Sequence, residues 1–164
     1  MAAAARAVSS LTHHDPEAGD ACVLWCAAIR QAVLTAELDV RRGLHLIPEE
    51  RRGTWAARLD EAEENAPDTF DRNEWAVQAL QGAWSAISRT PVPDGTDGLL
   101  PADHLRLALE AAVRGGRDTD TVAAIAGSLL GARWGASSIP TAWRRVVHGW
   151  PGVRVTDLGL RGLT

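Results

Sequence analysis

Apolar side chains along this chain return at steps of three and four. Ala18, Cys22, Trp25, Cys26, Ile29, Ala32, Val33 and Ala36 trace one such stripe, the signature of an amphipathic helix. Asp15 precedes it as a cap with Pro16 as first residue, so the spacing predicts a helix from there to about Glu37. Trp55, Leu59 and Ala62 form a second stripe behind Pro48 that closes near Asn65-Ala66-Pro67. The charged remainder of that segment predicts a peripheral helix. Asn73 reads as the N-cap of a third helix carrying Val77, Leu80, Trp84 and Ile87, and Thr90 to Gly98 reads as a loop. From Pro101 to Arg114 the pattern turns Leu105, Ala108, Leu109 and Ala112 inward, and Gly115-Gly116 ends the helix.

Thr121 to about Trp134 is helical again. Its small residues Ala123, Ala124, Gly127 and Gly131 predict close approach of a neighbouring helix, hence a central place in a bundle. Shorter helices are predicted over Ala2 to Leu11 and Pro140 to Val147, with a turn from Gly149 to Gly152. The pattern assigns nothing to the last dozen residues. Sustained alternation of apolar and polar residues is missing, and alanine, leucine and arginine dominate, all three being good helix formers. The expected fold is all-α, a single domain over residues 1–164.

Composition narrows the function classes. Hydrophobic residues make up 46% and charged residues 23%, which is globular rather than disordered. A net charge of −4 with scattered arginines offers no basic face for a nucleic-acid partner. The seven tryptophans therefore read as packing anchors, with Trp75 kept as a possible exception. No apolar run approaches the ~18 residues of a membrane span, and the alanine-rich start lacks the features of a signal peptide. Cys22 and Cys26 sit one helical turn apart, a poor geometry for a disulfide. They read as buried thiols of a reducing cytoplasm. His14 is expected in an exposed loop, His45 and His104 at the surface, and His148 at the end of a short helix where a cation suits the dipole.

The segment Gly116-Arg117-Asp118-Thr119-Asp120-Thr121 stands apart. Glycines free the backbone, two carboxylates two residues apart in an extended link can face the same side, and a hydroxyl follows at a helix start. Hard divalent cations favour such oxygen donors. Asp and Thr are equally favoured N-caps, and capping is the commoner use of them. These six residues leave both uses open, and the two are compatible.

The segment and the alanine-rich, glycine-spaced helix behind it resemble the C-terminal metal motif of the ADP-ribosylglycohydrolase family. Further pieces are similar to that family in the same order: Leu11-Thr12-His13 with Asp15-Pro16, Asn73-x-Trp75 with Val77 and Ala79-Leu80, Gly127 to Gly135, and Ile139 to Trp143 with Gly149-Trp150. The resemblance implies an orthogonal helical bundle around two Mg²⁺ or Mn²⁺ ions. It implies that Asp118, Asp120 and Thr121 are metal ligands, with Asp120 bridging. His13, Asn73, Trp75 and Gly116 would lie along the substrate cleft. The implied reaction is hydrolysis of the glycosidic bond joining ADP-ribose to a protein side chain or related acceptor. Two metals would orient ribose hydroxyls and water, and an acidic residue would act as base.

The family's other ligands belong to an N-terminal Thr-Asp-Asp motif that these residues do not contain. The chain therefore reads as the C-terminal part of such a domain, with the general base and remaining ligands expected from a complementary N-terminal segment. It should then expose an apolar face near the Asp118 loop and first helix, where that segment packs. A non-catalytic ADP-ribose-binding or accessory module, and a plain helical interaction domain in which Asp118 to Thr121 only cap, are the alternatives.

Overall fold

Seven α-helices are assigned among the described residues, 1–154 and Asp157, of this computed structural model. They are α1 (Ala2–Ser9), α2 (Pro16–Thr35), α3 (Glu49–Glu64), α4 (Ala76–Ser88), α5 (His104–Arg114), α6 (Thr119–Trp134) and α7 (Thr141–Val146). Among the described residues, strand is confined to a two-residue hairpin, β1 (His148–Gly149) against β2 (Val153–Arg154). The fold is all-α, as the periodicity predicts. Of the last dozen residues, only Val153, Arg154 and Asp157 are described.

Helix α2 begins where the sequence sets it. The Asp15 carboxylate accepts the Glu17 amide at 2.9 Å, Pro16 opens the first turn, and the helix stops at Ala36, whose backbone is left-handed (φ 59°). Pro48 caps α3, and Trp55, Leu59 and Ala62 are fully buried beneath its charged outer face.

The most completely buried helix of the bundle is α4, although α6 also packs on three helices, α2, α4 and α5. Ten of the 13 residues of α4 are buried, from Val77 to Ile87. Helices α2, α3, α5 and α6 all pack on it. In α6 only Val122, Ala126, Leu129 and Leu130 are buried. Of the small residues that predict close packing, Gly127 does face a neighbour, since an added Cβ would lie 3.6 Å from Leu109 of α5. Ala124 is exposed, and a Cβ at Gly131 would meet nothing within 4 Å. Small side chains permit close approach but do not supply the neighbour that approaches.

Two buried polar groups tie the helices together. The Asp20 side chain has no solvent exposure and meets Arg6 of α1 at 2.6 Å. It also accepts hydrogen bonds from Arg51 of α3 and the Trp55 indole. Burial pushes this carboxyl up, but the hydrogen bonds and charges of Arg51 and Arg6 outweigh it and hold it below its usual value. His104, expected at the surface, is 1% exposed. It opens α5 facing inward, because Leu105, Ala108 and Ala112 set that face. The Trp134 indole can only donate. His104 Nδ1 therefore accepts from it at 3.1 Å, and Nε2–H donates to the Ile87 carbonyl at 3.2 Å. His148, expected to end a helix, lies in β1 and is exposed, since α7 stops at Val146.

Removing the Asp20 carboxylate strands two arginines. Asp20→Ala is expected to cost about 3 kcal/mol, the scale of breaking one side of a buried ion pair, measured by urea denaturation. For His104 the sign runs the other way from a salt-bridged histidine. Burial lowers its pKa in the folded state, outweighing the Ile87 and Thr90 carbonyls. The unfolded chain then takes up the proton first. Stability from this residue is full above the unfolded pKa of about 6.5 and declines as pH falls through it. The wild-type melting temperature should drop more steeply between about pH 7 and pH 5 than that of His104→Gln.

Candidate functional site

The α5–α6 connection is built for a sharp turn against a fixed neighbour. Gly115 lies so close to Pro67 that an added Cβ would sit 3.1 Å from its side chain. Gly116 (φ 81°) and Arg117 (φ 61°) both adopt left-handed backbone. That conformation is free for glycine but costs an L-residue such as Arg117 about 1–2 kcal/mol. Asn73 holds the turn in place. Its Nδ2 donates to the Gly116 carbonyl at 3.0 Å, and its Oδ1 accepts the Asp118 amide at 3.1 Å. Asn73 is 3% exposed. It is not the N-cap of α4; Trp75 occupies that position. Both ends of the Asn73 amide are committed to the loop, so it acts on the site through the backbone of Gly116 and Asp118.

Helix α6 starts at Thr119, two residues before the sequence boundary. Asp118 is thus at the N-cap, and Asp120 and Thr121 are the second and third helical residues. Asp118 makes no side-chain cap hydrogen bond. The simple capping role is not what its carboxylate does. Asp120 and Thr121 are exposed, and Asp118 is half-buried.

Two grooves flank this helix start. One, of about 310 Å³, is lined by His13, Cys22, Trp25, Cys26, Glu74 and Thr121 together with apolar residues of α2, α4 and α6. The other, of about 920 Å³, is bordered by Asp120 with Leu109, Val113, Ala123, Trp143 and Val147. Thr121 and His13, about a hundred positions apart in sequence, therefore share a groove, while Asp120 borders the opposite one. Consecutive residues on a helix point about 100° apart, which separates them. Among the described residues no three His, Cys, Asp or Glu side chains gather as a metal cluster.

Several neighbours have structural duties. Trp25 donates its indole N–H to the Ile125 carbonyl and Ser128 Oγ, both at 3.0 Å, which locks α2 to α6. Trp75 reaches Asp15 at 3.5 Å and has the Arg58 guanidinium 5.5 Å from its ring centre. Arg58 also lies over Trp55 at 5.0 Å and pairs with Glu17 at 2.8 Å. One Trp75 contact is thus already taken, and the groove beside His13 is lined by Glu74 and Ala76 instead. Glu74, which no motif in the sequence marks, is the carboxylate of this groove. Only its position between Asn73 and Trp75 could have flagged it. Cys22 and Cys26, expected buried, are half-buried along the same groove.

The ADP-ribosylglycohydrolase family model matches residues 1–162. The chain belongs to the ADP-ribosylglycohydrolase family. No curated protein and no solved structure matches it significantly. Membership spans α1 to β2, so this ADP-ribosylglycohydrolase relative owes its family character to the whole helical array. Among the described residues, no helix is long and apolar enough to cross a membrane.

In this member of the family the Asn73 clamp is directly testable. Asn73→Ala removes the partner of the half-buried Gly116 carbonyl and Asp118 amide and should cost about 1 kcal/mol. Amide hydrogen exchange should accelerate locally over residues 115–120 while α4 remains protected. Unchanged exchange in that loop would mean that Asn73 does not hold it.

Proposed function

We propose that this chain is the C-terminal part of a hydrolase that cleaves the glycosidic bond between ADP-ribose and its acceptor. The observation that carries the reading is the family match across residues 1–162. The shared groove of Thr121 and His13 supports it. The donor chemistry suits Mg²⁺ or Mn²⁺: Asp118, Asp120 and Thr121 offer hard oxygens, and the Asp118 carboxylate is not spent on capping. A bound divalent pair would supply charge stabilisation and an oriented water. Thr121 and His13 would border the ADP-ribose, Glu74 would supply an acidic group beside it, and Asn73 and Gly116 would fix the ligand loop. Trp75 would act by holding the α4 start.

Three ligands do not complete two coordination spheres. The remaining donors would come from a Thr-Asp-Asp-bearing segment, and the outward side of α6 suits such a partner. It is lined by alanine and glycine, and its apolar grooves extend past Val113, which is 52% exposed. A helix apolar all round belongs in an interior, so an uncovered side of α6 is where another helix would gain most by packing.

One observation favours a second reading, an ADP-ribose-binding module without turnover: Asp120 borders a different groove from His13 and Thr121. Calorimetry of the purified chain with Mn²⁺ and ADP-ribose, alone and with a Thr-Asp-Asp-bearing segment, separates the two. The hydrolase reading expects release of ADP-ribose from a modified protein on adding the segment, with a loss of at least about a hundredfold in Asp120→Ala, the scale of removing a catalytic electrostatic contact. Binding of ADP-ribose without turnover in every mixture supports the module. Absence of both Mn²⁺ and ADP-ribose binding, with melting unchanged by either, overturns both readings.

A further inference from the structure

Cys22 and Cys26 share one face of α2. Residues four apart on a helix bring their Cβ atoms to about 5–6 Å. Both thiols line the groove that holds His13 and Thr121, and both are half-buried rather than sealed in the core. The adjoining positions Ala21, Val23, Leu24 and Trp25 are buried, so α2 cannot turn to hide the pair. Helical backbone keeps the two Cβ atoms at a fixed spacing, unlike two thiols on a loop.

The surroundings select the chemistry this pair can do. Hard or tetrahedral ions need more donors than two, and among the described residues no third His, Cys, Asp or Glu completes a cluster here. Soft thiophilic centres are different, since thiolate is their preferred ligand and two sulfurs satisfy them. Single-thiol chemistry is disfavoured. Burial pushes the Cys26 thiol up and the neighbouring Cys22 adds to it, while alkylation and disulfide exchange require the thiolate. A ligand that forms two sulfur bonds at once and releases the protons as water avoids that handicap.

We propose that Cys22 and Cys26 form a dithiol site for trivalent arsenicals and related soft, thiophilic centres, placed so that its occupant fills the groove beside Thr121 and His13. With an aryl arsenoxide the step is balanced without redox change. The two S–H bonds break, two As–S bonds form, and the arsenic-bound oxygen leaves with both protons as one water. The site does not depend on the hydrolase reading, because its ligand is neither ADP-ribose nor a hard metal. If that reading holds, the adduct also blocks the groove.

Native mass spectrometry with phenylarsine oxide tests the site on the full chain. Wild type is expected to carry one adduct that resists a monothiol such as 2-mercaptoethanol and is stripped by dithiothreitol. Cys22→Ser and Cys26→Ser should each lose about a hundredfold in that resistance, the scale of removing one of two linked bonds. Binding to the folded protein should raise the melting temperature of wild type and of neither variant. Cys22→Ala and Cys26→Ala provide a second pair if a buried hydroxyl unfolds the serine variants. A wild-type adduct stripped by monothiol, or a single-cysteine variant that keeps it as firmly, overturns the proposal. Those outcomes leave ADP-ribose binding untouched, so failure here is separable from failure of the hydrolase reading.

Discussion

Burial of one stripe of α6 against α2, α4 and α5 fixes where the candidate ligands stand. Val122, Ala126, Leu129 and Leu130 are all at most 1% exposed. Each buried leucine or valine of this kind contributes about 1.5–3 kcal/mol relative to exposure, far more than any surface contact near the loop. Because Val122 directly follows Thr121, this packing reaches to the third helical residue. The Trp25 indole then pins the middle of the helix through Ile125 and Ser128. Asn73 fixes the approach to it. Hydrophobic burial thus sets the helix, and hydrogen bonds set the register of the turn that feeds it.

Electrostatics at the helix start favour its acids. Acidic groups in a first turn gain about 0.3–1 kcal/mol each from the helix dipole. Asp118 at the N-cap and Asp120 in the first turn both stand in that favourable field, and residues two apart on a helix do not face each other. Arg117 adds little, since it is exposed and 3.9 Å from Asp71 rather than paired with either acid.

Periodicity made the helices legible, because burial acts on stripes and stripes are visible in sequence. The cap and proline at Asp15 and Pro16, the buried face of α3 and the stop at Gly115-Gly116 all follow from local rules. What was not legible depends on neighbours. The stripe of α6 does not say that Ala124 and Gly131 lie outward while Gly127 meets α5. Nothing local tells that His104 faces Trp134 across 30 positions. Asn73 has the composition of a cap, yet its partner is a loop more than 40 residues away. At the candidate site, the resemblance points to Asp118 to Thr121 and His13, while helix rotation, set by packing, decides that His13 and Thr121 share a groove and Asp120 borders another. Glu74 carried no pattern at all.

The Asp20 triad has a consequence for how such a chain can change over generations. Its charge is answered twice, by arginines on separate helices that are each about a third exposed. Drift at position 6 or 51 leaves one counter-ion behind and is survivable. Drift at position 20 leaves two cations facing each other. Substitutions should therefore accumulate in a fixed order, arginines before the aspartate, and a homologue with an apolar residue at position 20 should already have lost both guanidinium groups.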